Sequence, residues 1–266
     1  MSTRRRLDAE LVRRGLARSR EHAAELVTGG RVLVAGQAAG KPATQVTLDD
    51  PILVTGEQAE PHFASRGGRK LAGALEDFSD LEVSGRNCLD AGASTGGFTD
   101  VLLRGGAAHV VAADVGYGQL AWRLRTDPRV EVADRTNVRN LQAGQLTPPP
   151  DLVTADLSFI SLGLVLPALI AVADPGADFV LLVKPQFEVG KDRVGAGGVV
   201  RDPALRAGAV ASVAATASTL GLGVAGVCAS SLPGPAGNVE YFLWLRRGAP
   251  PLEQASLEHV VAEGPQ

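Results

Sequence analysis

The chain has 266 residues, of which 45% are hydrophobic and 21% are charged. These proportions are typical of a globular protein, and the length allows one large domain and one small domain. No apolar run approaches the roughly 20 residues that span a bilayer, and no apolar segment follows the basic N-terminus, so we expect neither a membrane anchor nor a signal peptide. Cys88 and Cys228 lie in apolar runs, and the four histidines show no ligand spacing. We therefore expect buried free thiols, no metal site and a cytoplasmic location.

Charge is distributed unevenly along the chain. Residues 1–41 carry nine basic and four acidic side chains, a net charge of +5, whereas the remainder carries 17 basic and 25 acidic side chains, a net charge of −8. A basic segment attached to an acidic body suggests a region that binds nucleic acid. On charge alone, a solvated charged helix face explains the basic segment equally well.

Residues 6–34 carry the pattern of two short helices followed by a strand. Gly15 is expected to end the first helix, and Ser19 is a candidate N-cap for the second. Two glycines stop the second helix before a strand at 31–34. The inward faces of the two helices are predicted to be Leu7, Leu11, Val12, Ala23, Ala24 and Val27.

This order of helix, turn, helix and strand, with its spacing of Arg, Leu and Gly, resembles the S4 RNA-binding domain. The resemblance covers about a sixth of the chain and favours RNA as the partner of the basic segment. Arginine and lysine side chains there are expected to bind phosphates, which positions the RNA without reading its sequence. The residues that we expect to make these contacts are Arg4, Arg6, Arg18, Arg20 and Lys41.

The stretch 90–99 reads Asp-Ala-Gly-Ala-Ser-Thr-Gly-Gly-Phe-Thr, between a short apolar run and a helical pattern. This order predicts the first strand–turn–helix unit of a doubly wound sheet, where glycines let a ligand approach the backbone. The dinucleotide motif fails because Ser94 occupies its middle glycine position, and the phosphate-loop motif fails because Phe98 stands where lysine is required. An acidic residue followed by spaced small residues resembles the first motif of methyltransferases that use S-adenosylmethionine (SAM).

A second acidic residue supports a ligand at this turn. Asp114 ends the next predicted strand, 107–113, about 20 positions after the glycines. A carboxylate at that spacing is placed to accept hydrogen bonds from ribose hydroxyls.

The remaining pattern alternates strands with helices, which predicts an α/β fold with a mainly parallel sheet, Rossmann-like in type. Helices are expected at 71–78 and 204–220, and a glycine-rich loop at 190–198 near the site mouth. The further strands are predicted at 129–133, 152–155, 179–184, 224–229 and 239–245. The domains are predicted at 1–60 and 65–250, with a linker at 61–64 and a C-terminal tail at 251–266.

Three ionisable residues stand at or near the ends of the later strands. Asp156 and Lys184 end two predicted strands, and the carboxyl ends of strands line the ligand crevice of an open α/β sheet. Glu240 lies early in its strand, so an antiparallel last strand would bring it to the same edge. A purely structural pairing of Asp156 with Lys184 is the alternative interpretation.

Motifs along nearly the whole chain resemble the TlyA-type ribosomal RNA methyltransferases, also called the hemolysin A family, which are similar to FtsJ-type 2′-O-methyltransferases. The motifs that carry this resemblance lie at 65–70, 89–98, 114–120, 155–161, 183–188 and 237–242. The resemblance implies methyl transfer from SAM to cytidine 2′-hydroxyls of 16S or 23S rRNA, or of both, with ribosomal subunits as partners.

The resemblance also implies the residues of the site. The catalytic Lys-Asp-Lys-Glu tetrad falls on Lys70, Asp156, Lys184 and Glu240. The cofactor contacts are expected from Asp90, Gly92, Ser94, Gly96, Gly97, Phe98, Asp114, Asp134 and Asn137. A ribose hydroxyl is a poor nucleophile that needs its proton removed or polarised, and Lys184 is our candidate for the general base.

Other functions fit the sequence less well. The residues after the strand at 152–155 do not form the Pro-Pro-aromatic motif of base-amine methyltransferases, and neither cysteine lies beside a basic residue as cytosine C5 methylation requires. A non-catalytic RNA-binding protein would explain residues 1–41 but not the tetrad. Membrane lysis, suggested by the hemolysin label, is disfavoured because no membrane-spanning segment is predicted.

Overall fold

The structure, a computed structural model, describes residues 4–14, 16–17, 19–47, 50–55 and 63–264, with the side chain of Lys191 excepted. The chain divides into two units, Met1–His62 and Phe63–Gln266. Gly15, Arg18 and half of the predicted linker lie outside the described residues.

The smaller unit packs two helices against short strands. Its elements are β1 (Arg5–Arg6), α1 (Leu7–Arg13), α2 (Arg20–Thr28), β2 (Val32–Val34), β3 (Gln37–Ala38), β4 (Gln45–Val46) and β5 (Ile52–Val54). Strand β1 pairs with β4, and β2 lies between β3 and β5 in an antiparallel sheet. The Ser19 hydroxyl accepts a hydrogen bond from the backbone N–H of His22, at 3.1 Å, so the predicted N-cap is confirmed. Leu7 and Leu11 are fully buried, as predicted, and Leu26 joins them in the core.

The larger unit is an α/β domain. Its strands are β6 (Asn87–Ala91), β7 (His109–Ala113), β8 (Val130–Ala133), β9 (Leu152–Ala155), β10 (Asp178–Val183), β11 (Gly223–Ala229) and β12 (Tyr241–Arg246). Its helices are α3 (Arg66–Asp77), α4 (Gly97–Arg104), α5 (Trp122–Arg125), α6 (Leu166–Val172), α7 (Pro185–Glu188), α8 (Pro203–Thr219) and α9 (Gln254–Glu263).

One sheet organises this unit, with strand order β8-β7-β6-β9-β10-β12-β11. The pairs from β8 through β10 are parallel, and β12 is antiparallel to both of its neighbours. The chain order reverses between β6 and β9, and an open α/β sheet binds its ligands at the carboxyl ends of strands beside such a point. The predicted mainly parallel, Rossmann-like sheet is confirmed.

Side-chain alternation places a core on each face of this sheet. In β10, Phe179, Leu181 and Val183 belong to the core under α6, α8 and α9, whereas Val180 and Leu182 belong to the core under α3 and α4. Successive side chains of a strand point to opposite faces, so a strand covered on both sides is apolar throughout. Both cysteines are free and buried, as predicted, and burial raises the pKa of the Cys88 thiol to about 12.

Two segments differ from expectation. Helix α3 begins at Arg66, so Lys70 lies inside it and not before it. The glycines at 67 and 68 lie in its first turn and allow close packing: a Cβ atom on Gly68 would lie 2.9 Å from the Gly97 carbonyl oxygen of α4. At the other end of the unit, the expected tail contains α9, whose Leu257 and Val261 are buried in the core.

Candidate active site

The carboxyl ends of β6, β9 and β10 surround a cavity of about 250 Å³. Among the predicted site residues, those that line it are Lys70, Gly92, Ser94, Gly97, Phe98, Asp156 and Lys184. Two larger clefts, of about 610 and 730 Å³, lie at the β11 edge and between α8 and α9. Neither of them is lined by a predicted site residue, so the smaller cavity is the candidate active site.

Lys184 and Asp156 form an ion pair where the neighbouring strands β10 and β9 end. The distance from Lys184 Nζ to Asp156 Oδ1 is 2.6 Å, and the two side chains are 11% and 23% exposed. The same Nζ atom donates a hydrogen bond to the Ser158 hydroxyl at 3.0 Å. Lys184 therefore remains accessible from the cavity while two acceptors hold its amine.

A second ion pair joins Lys70 of α3 to Glu240, which directly precedes β12. Both side chains are almost fully buried. The β10–β12 register pairs Val183 with Tyr241, so the start of β12 lies beside the end of β10, and the predicted convergence of Glu240 on this edge is confirmed. A Cβ atom on Gly234 would overlap the Glu240 carboxylate, so glycine is needed for this close approach.

The glycine-rich turn lies directly beside this pair of strands. The Asp156 backbone N–H donates to the Ala91 carbonyl at 3.0 Å, which ties the end of β6 to the end of β9. Gly92 has φ +88°, and a Cβ atom there would meet the Asp156 carbonyl oxygen. Ser94 adopts φ +47°, which non-glycine residues rarely do. Glycine at position 92 thus lets the turn pack closely against the end of β9 beside the cavity.

Asp114 holds the turn from the neighbouring strand. Its Oδ2 atom accepts the backbone N–H of Ser94 at 2.9 Å, and its Oδ1 atom accepts that of Gly116 at 2.7 Å. An ionised carboxylate has about four acceptor positions, so these two bonds leave capacity for ribose hydroxyls.

Asp90 lies beneath the turn and is fully buried. Its Oδ2 atom accepts a hydrogen bond from the Thr99 hydroxyl at 2.6 Å, whereas Oδ1 has no partner among the described residues. Burial raises the pKa of the Asp90 carboxyl to about 7, and the nearby carboxylates of Asp156 and Asp114 act in the same direction. Asp90 is therefore a group whose charge changes near neutral pH.

The other predicted cofactor contacts have structural partners. Asp134 pairs with Arg125 at 2.9 Å, and Asn137 caps a short 3-10 helix by accepting the Arg139 N–H at 3.1 Å. Phe98 is buried against Phe242, with ring centroids 6.0 Å apart, although it also lines the cavity. The predicted residues outside the lining of this cavity are Asp90, Gly96, Asp114, Asp134, Asn137 and Glu240.

Comparison with known protein families agrees with this geometry. A model of the FtsJ-like methyltransferase family matches residues 63–247, and a model of the S4 domain matches residues 5–52. The chain belongs to the FtsJ-like methyltransferase family. Within it, the arrangement of an S4 domain before the FtsJ-like domain confirms the TlyA-type resemblance of the sequence motifs.

Relatives extend over the full chain. A Mycobacterium tuberculosis protein named 16S/23S rRNA (cytidine-2′-O)-methyltransferase TlyA is 59% identical, covering 100% of both chains. The protein named Hemolysin A of Brachyspira hyodysenteriae is 34% identical, covering 89% of this chain and 97% of its own. A solved structure from Streptococcus thermophilus, named as a hemolysin, is 37% identical with a TM-score of 0.74, covering 99% of this chain and 96% of that one.

Sequence reasoning missed the aromatic side chains at the edge of the FtsJ-like domain. Phe159 is 91% exposed with φ +64°, and its ring centroid lies 5.1 Å from that of Phe187. Tyr117 is also exposed, and the Arg135 guanidinium lies 4.5 Å from the centre of its ring. Only the apolar character of these residues is visible in the sequence, and that character suggests core positions.

In the S4 domain, two of the predicted RNA contacts share one carboxylate. Arg6 and Arg20 lie 2.8 and 3.1 Å from Asp8. The hydrogen bond from Arg6 is the main reason that the Asp8 pKa falls to about 2. Arg4 and Lys41 are exposed, and Arg18 lies outside the described residues. The arginines are therefore held in position but partly neutralised.

Proposed function

We propose that this protein transfers a methyl group from SAM to the 2′-hydroxyl of cytidine in ribosomal RNA. The observation that carries the proposal is the meeting of two lysine–carboxylate pairs, Lys184 with Asp156 and Lys70 with Glu240, against the glycine-rich turn of the sheet. The names of the relatives support the same reaction and substrate.

The residues around the turn fit SAM, a ligand that carries a positive sulfonium and a ribose. Gly92 and Gly97 of the turn line the cavity. The buried Oδ1 atom of Asp90 has no protein partner among the described residues, and a buried polar atom of this kind normally has one. Asp114 keeps acceptor capacity for hydroxyl groups beside its two backbone hydrogen bonds.

SAM supplies an already activated methyl group when bound, so the protein has to align the acceptor oxygen and manage its proton. Lys184 is the candidate general base because its amine faces the cavity and is exposed to a bound ribose. Asp156 orients that amine. Lys70, fixed by Glu240, places a second positive charge where the 2′-oxygen develops negative charge.

RNA would be held at two places. The S4 domain supplies phosphate contacts through Arg4, Arg6, Arg20 and Lys41. Next to Ser158 of the cavity lining, the exposed ring of Phe159 offers a face for base stacking. The reacting 2′-hydroxyl itself distinguishes RNA from DNA.

Incubation of the purified protein with ribosomal subunits and methyl-labelled SAM tests this proposal. We expect label in a ribose-methylated cytidine after nuclease digestion, a much lower rate of labelling with Lys184→Ala, and none with single-stranded DNA of the same sequence. Label in a base, or in no nucleotide of either subunit, would overturn the proposal.

A membrane-active protein is the competing reading of the hemolysin names. Among the described residues, no helix combines the length and the apolar character needed to cross a membrane. Dye release from liposomes by the purified protein, at concentrations that give no methylation, would favour that reading.

A further inference from the structure

Ser158 lies where the chain leaves β9 and passes the ion pair of Lys184 and Asp156. Its hydroxyl is 3.0 Å from Lys184 Nζ, and its side chain lines the cavity. Within the described part of the chain, Lys184 is the only hydrogen-bond partner of this hydroxyl. Ser158 therefore contributes no helix cap and no bond to the fold, in contrast to Ser161 of the same loop, which bonds Glu188 at 2.6 Å.

The backbone beside Ser158 is held in an unfavourable conformation. Phe159 has φ +64°, a left-handed conformation that bulky residues rarely adopt. Its ring is 91% exposed, so core packing does not explain the conformation. The turn directs Phe159 to the solvent while the Ser158 hydroxyl stays at Lys184, and strain of this kind clusters at functional sites.

The geometry of a lysine nitrogen gives this contact a consequence. The Nζ atom of a lysine is tetrahedral. It is bonded to Cε, and its three other directions hold N–H bonds or, after deprotonation, two N–H bonds and a lone pair. Asp156 Oδ1 and Ser158 Oγ, at 2.6 and 3.0 Å, each accept an N–H and so occupy two of them. When the ammonium loses a proton, the two accepted N–H groups are retained, and the lone pair forms in the third direction. Without Ser158, two directions are equivalent and the lone pair has no fixed orientation.

We propose that Ser158 is a positioning residue for methyl transfer, which orients the Lys184 amine so that its lone pair faces the acceptor hydroxyl. The inference rests on the proposed function. In the step itself, Nζ gains the proton that the 2′-hydroxyl loses, and Ser158 neither gains nor loses one. A correct orientation of reacting groups is worth large rate factors.

The charges of the site make Ser158 a clean target. The charged side chains facing Lys184 in this cavity are Asp156, Arg66 and Lys70, the last of them paired with Glu240. A neutral hydroxyl can be removed without changing any of these charges. Its loss therefore tests orientation separately from the electrostatics of the cavity.

Ser158→Ala should lower kcat about 10-fold, less than the roughly 10²–10⁴-fold that an acid–base group itself contributes. The SAM dissociation constant and the KM for ribosomal subunits should not change. Ser158→Thr keeps the hydroxyl and should retain most of the rate. Ser158→Cys, with a weak acceptor of similar size, should behave like Ser158→Ala, which excludes a packing effect. Ser161→Ala, the matched control, should lower the melting temperature without this kinetic pattern.

A measurement without substrates separates this inference from the proposed function. The ¹⁵N chemical shift of an amine depends on its hydrogen bonds. In ¹⁵N-lysine NMR of the free protein at one fixed pH, the Lys184 Nζ signal, assigned with Lys184→Arg, should move in Ser158→Ala and not in Ser161→Ala. An unmoved signal, an unchanged kcat or a loss confined to SAM or RNA binding would each overturn the role of Ser158. An inactive wild-type protein with a shifted signal would overturn only the proposed reaction.

Discussion

The Nζ atom of Lys184 lies 2.6 Å from the Oδ1 atom of Asp156. Parallel pairing of β10 with β9, in register from Asp178 with Leu152 to Leu181 with Ala155, brings the two strand ends together. The pair is mostly shielded from water, so its attraction is stronger than that of a surface ion pair. Because removal of one residue leaves the charge of the other without its partner, a variant can lose stability as well as activity. Tests of this pair therefore have to measure both.

Lys184→Ala should lower turnover by about 10²–10⁴-fold, the usual contribution of a general acid or base. Binding of SAM and of ribosomal subunits should stay nearly intact, because the lost interaction belongs mainly to the transition state. Single-turnover methylation with a melting curve measures both effects. Lys184→Arg should not restore turnover, since arginine stays protonated.

The double variant Lys184→Met with Asp156→Asn is the control for stability. It removes both charges of the pair, so it should regain any melting temperature lost by Lys184→Met alone. It should remain inactive. Recovery of turnover by Lys184→Arg would instead assign to Lys184 the role of a fixed positive charge.

Asp114→Ala should weaken SAM binding by about 1–3 kcal/mol, the range for losing hydrogen bonds to a charged group. The structure adds a reason beyond the expected ribose contact, because Asp114 also holds the Ser94 and Gly116 amides. Asp114→Asn keeps one oxygen acceptor, so its SAM affinity should lie between that of the wild-type protein and that of Asp114→Ala. Calorimetric titration with SAM measures the change, and an unchanged affinity would refute the assignment of Asp114.

Asp90→Asn should stabilise the FtsJ-like domain more at pH 8 than at pH 5. The native carboxyl, with a pKa of about 7 against a usual value of 3.8, binds its proton more tightly than the unfolded chain does. The contribution of Asp90 to wild-type stability therefore falls as pH rises from about 4 to 7, and the asparagine variant lacks this loss. The difference between pH 5 and pH 8 should be on the order of 2–3 kcal/mol.

Tryptophan fluorescence can follow this unfolding, because Trp122 and Trp244 both lie in the larger unit. Asp127→Asn is the matched control. A hydrogen bond from Arg129 lowers the pKa of the Asp127 carboxyl, so ionisation of Asp127 favours the native state and the variant should gain nothing at high pH. A pH-independent effect of Asp90→Asn would show that Asp90 is charged in the native state throughout this range.

Arg20→Ala should weaken RNA binding. The slope of log affinity against log salt concentration should become shallower by about one unit, because one phosphate contact is lost. Alanine is preferable to glutamate here because Arg20 lies beside Asp8, where a new carboxylate would be repelled. Arg31→Ala, at another exposed position of the same domain, is the control. Filter binding of rRNA fragments at several salt concentrations measures the salt dependence of RNA affinity for each variant. The SAM affinity of both variants should stay unchanged.

The positions of the strands along the chain are predictable from the sequence. Strand β9 has the predicted bounds, and the predicted strand ends bring Asp156 and Lys184 together because parallel strands share one carboxyl edge. Continuous apolar runs and turn residues are local features, so they can be recognised in the sequence without knowledge of the tertiary structure.

The contacts between distant segments are not visible in this way. Lys70 and Glu240 are 170 positions apart, and their pairing depends on how α3 packs over the sheet. The role of the glycines at 67 and 68 is not visible in the sequence, because their close packing against Gly97 is tertiary. Phe159 stands among apolar neighbours, and only the left-handed backbone turns it outward.

Phe159→Ala should raise the KM for ribosomal subunits by roughly 5- to 150-fold, since stacking of one base on an aromatic ring is worth about 1–3 kcal/mol. The ring is 91% exposed and contacts Phe187, so its loss should leave the melting temperature nearly unchanged.

Phe159→Tyr keeps a stacking face and should retain most of the affinity, whereas Phe159→Leu keeps only apolar area and should behave like Phe159→Ala. Leu164→Ala removes another exposed apolar side chain and serves as the control. Steady-state methylation with ribosomal subunits and calorimetry with SAM separate the two ligands. A raised SAM dissociation constant in Phe159→Ala would mean that Phe159 shapes the cofactor pocket, and equal KM values for all four variants would mean that no base stacks on it.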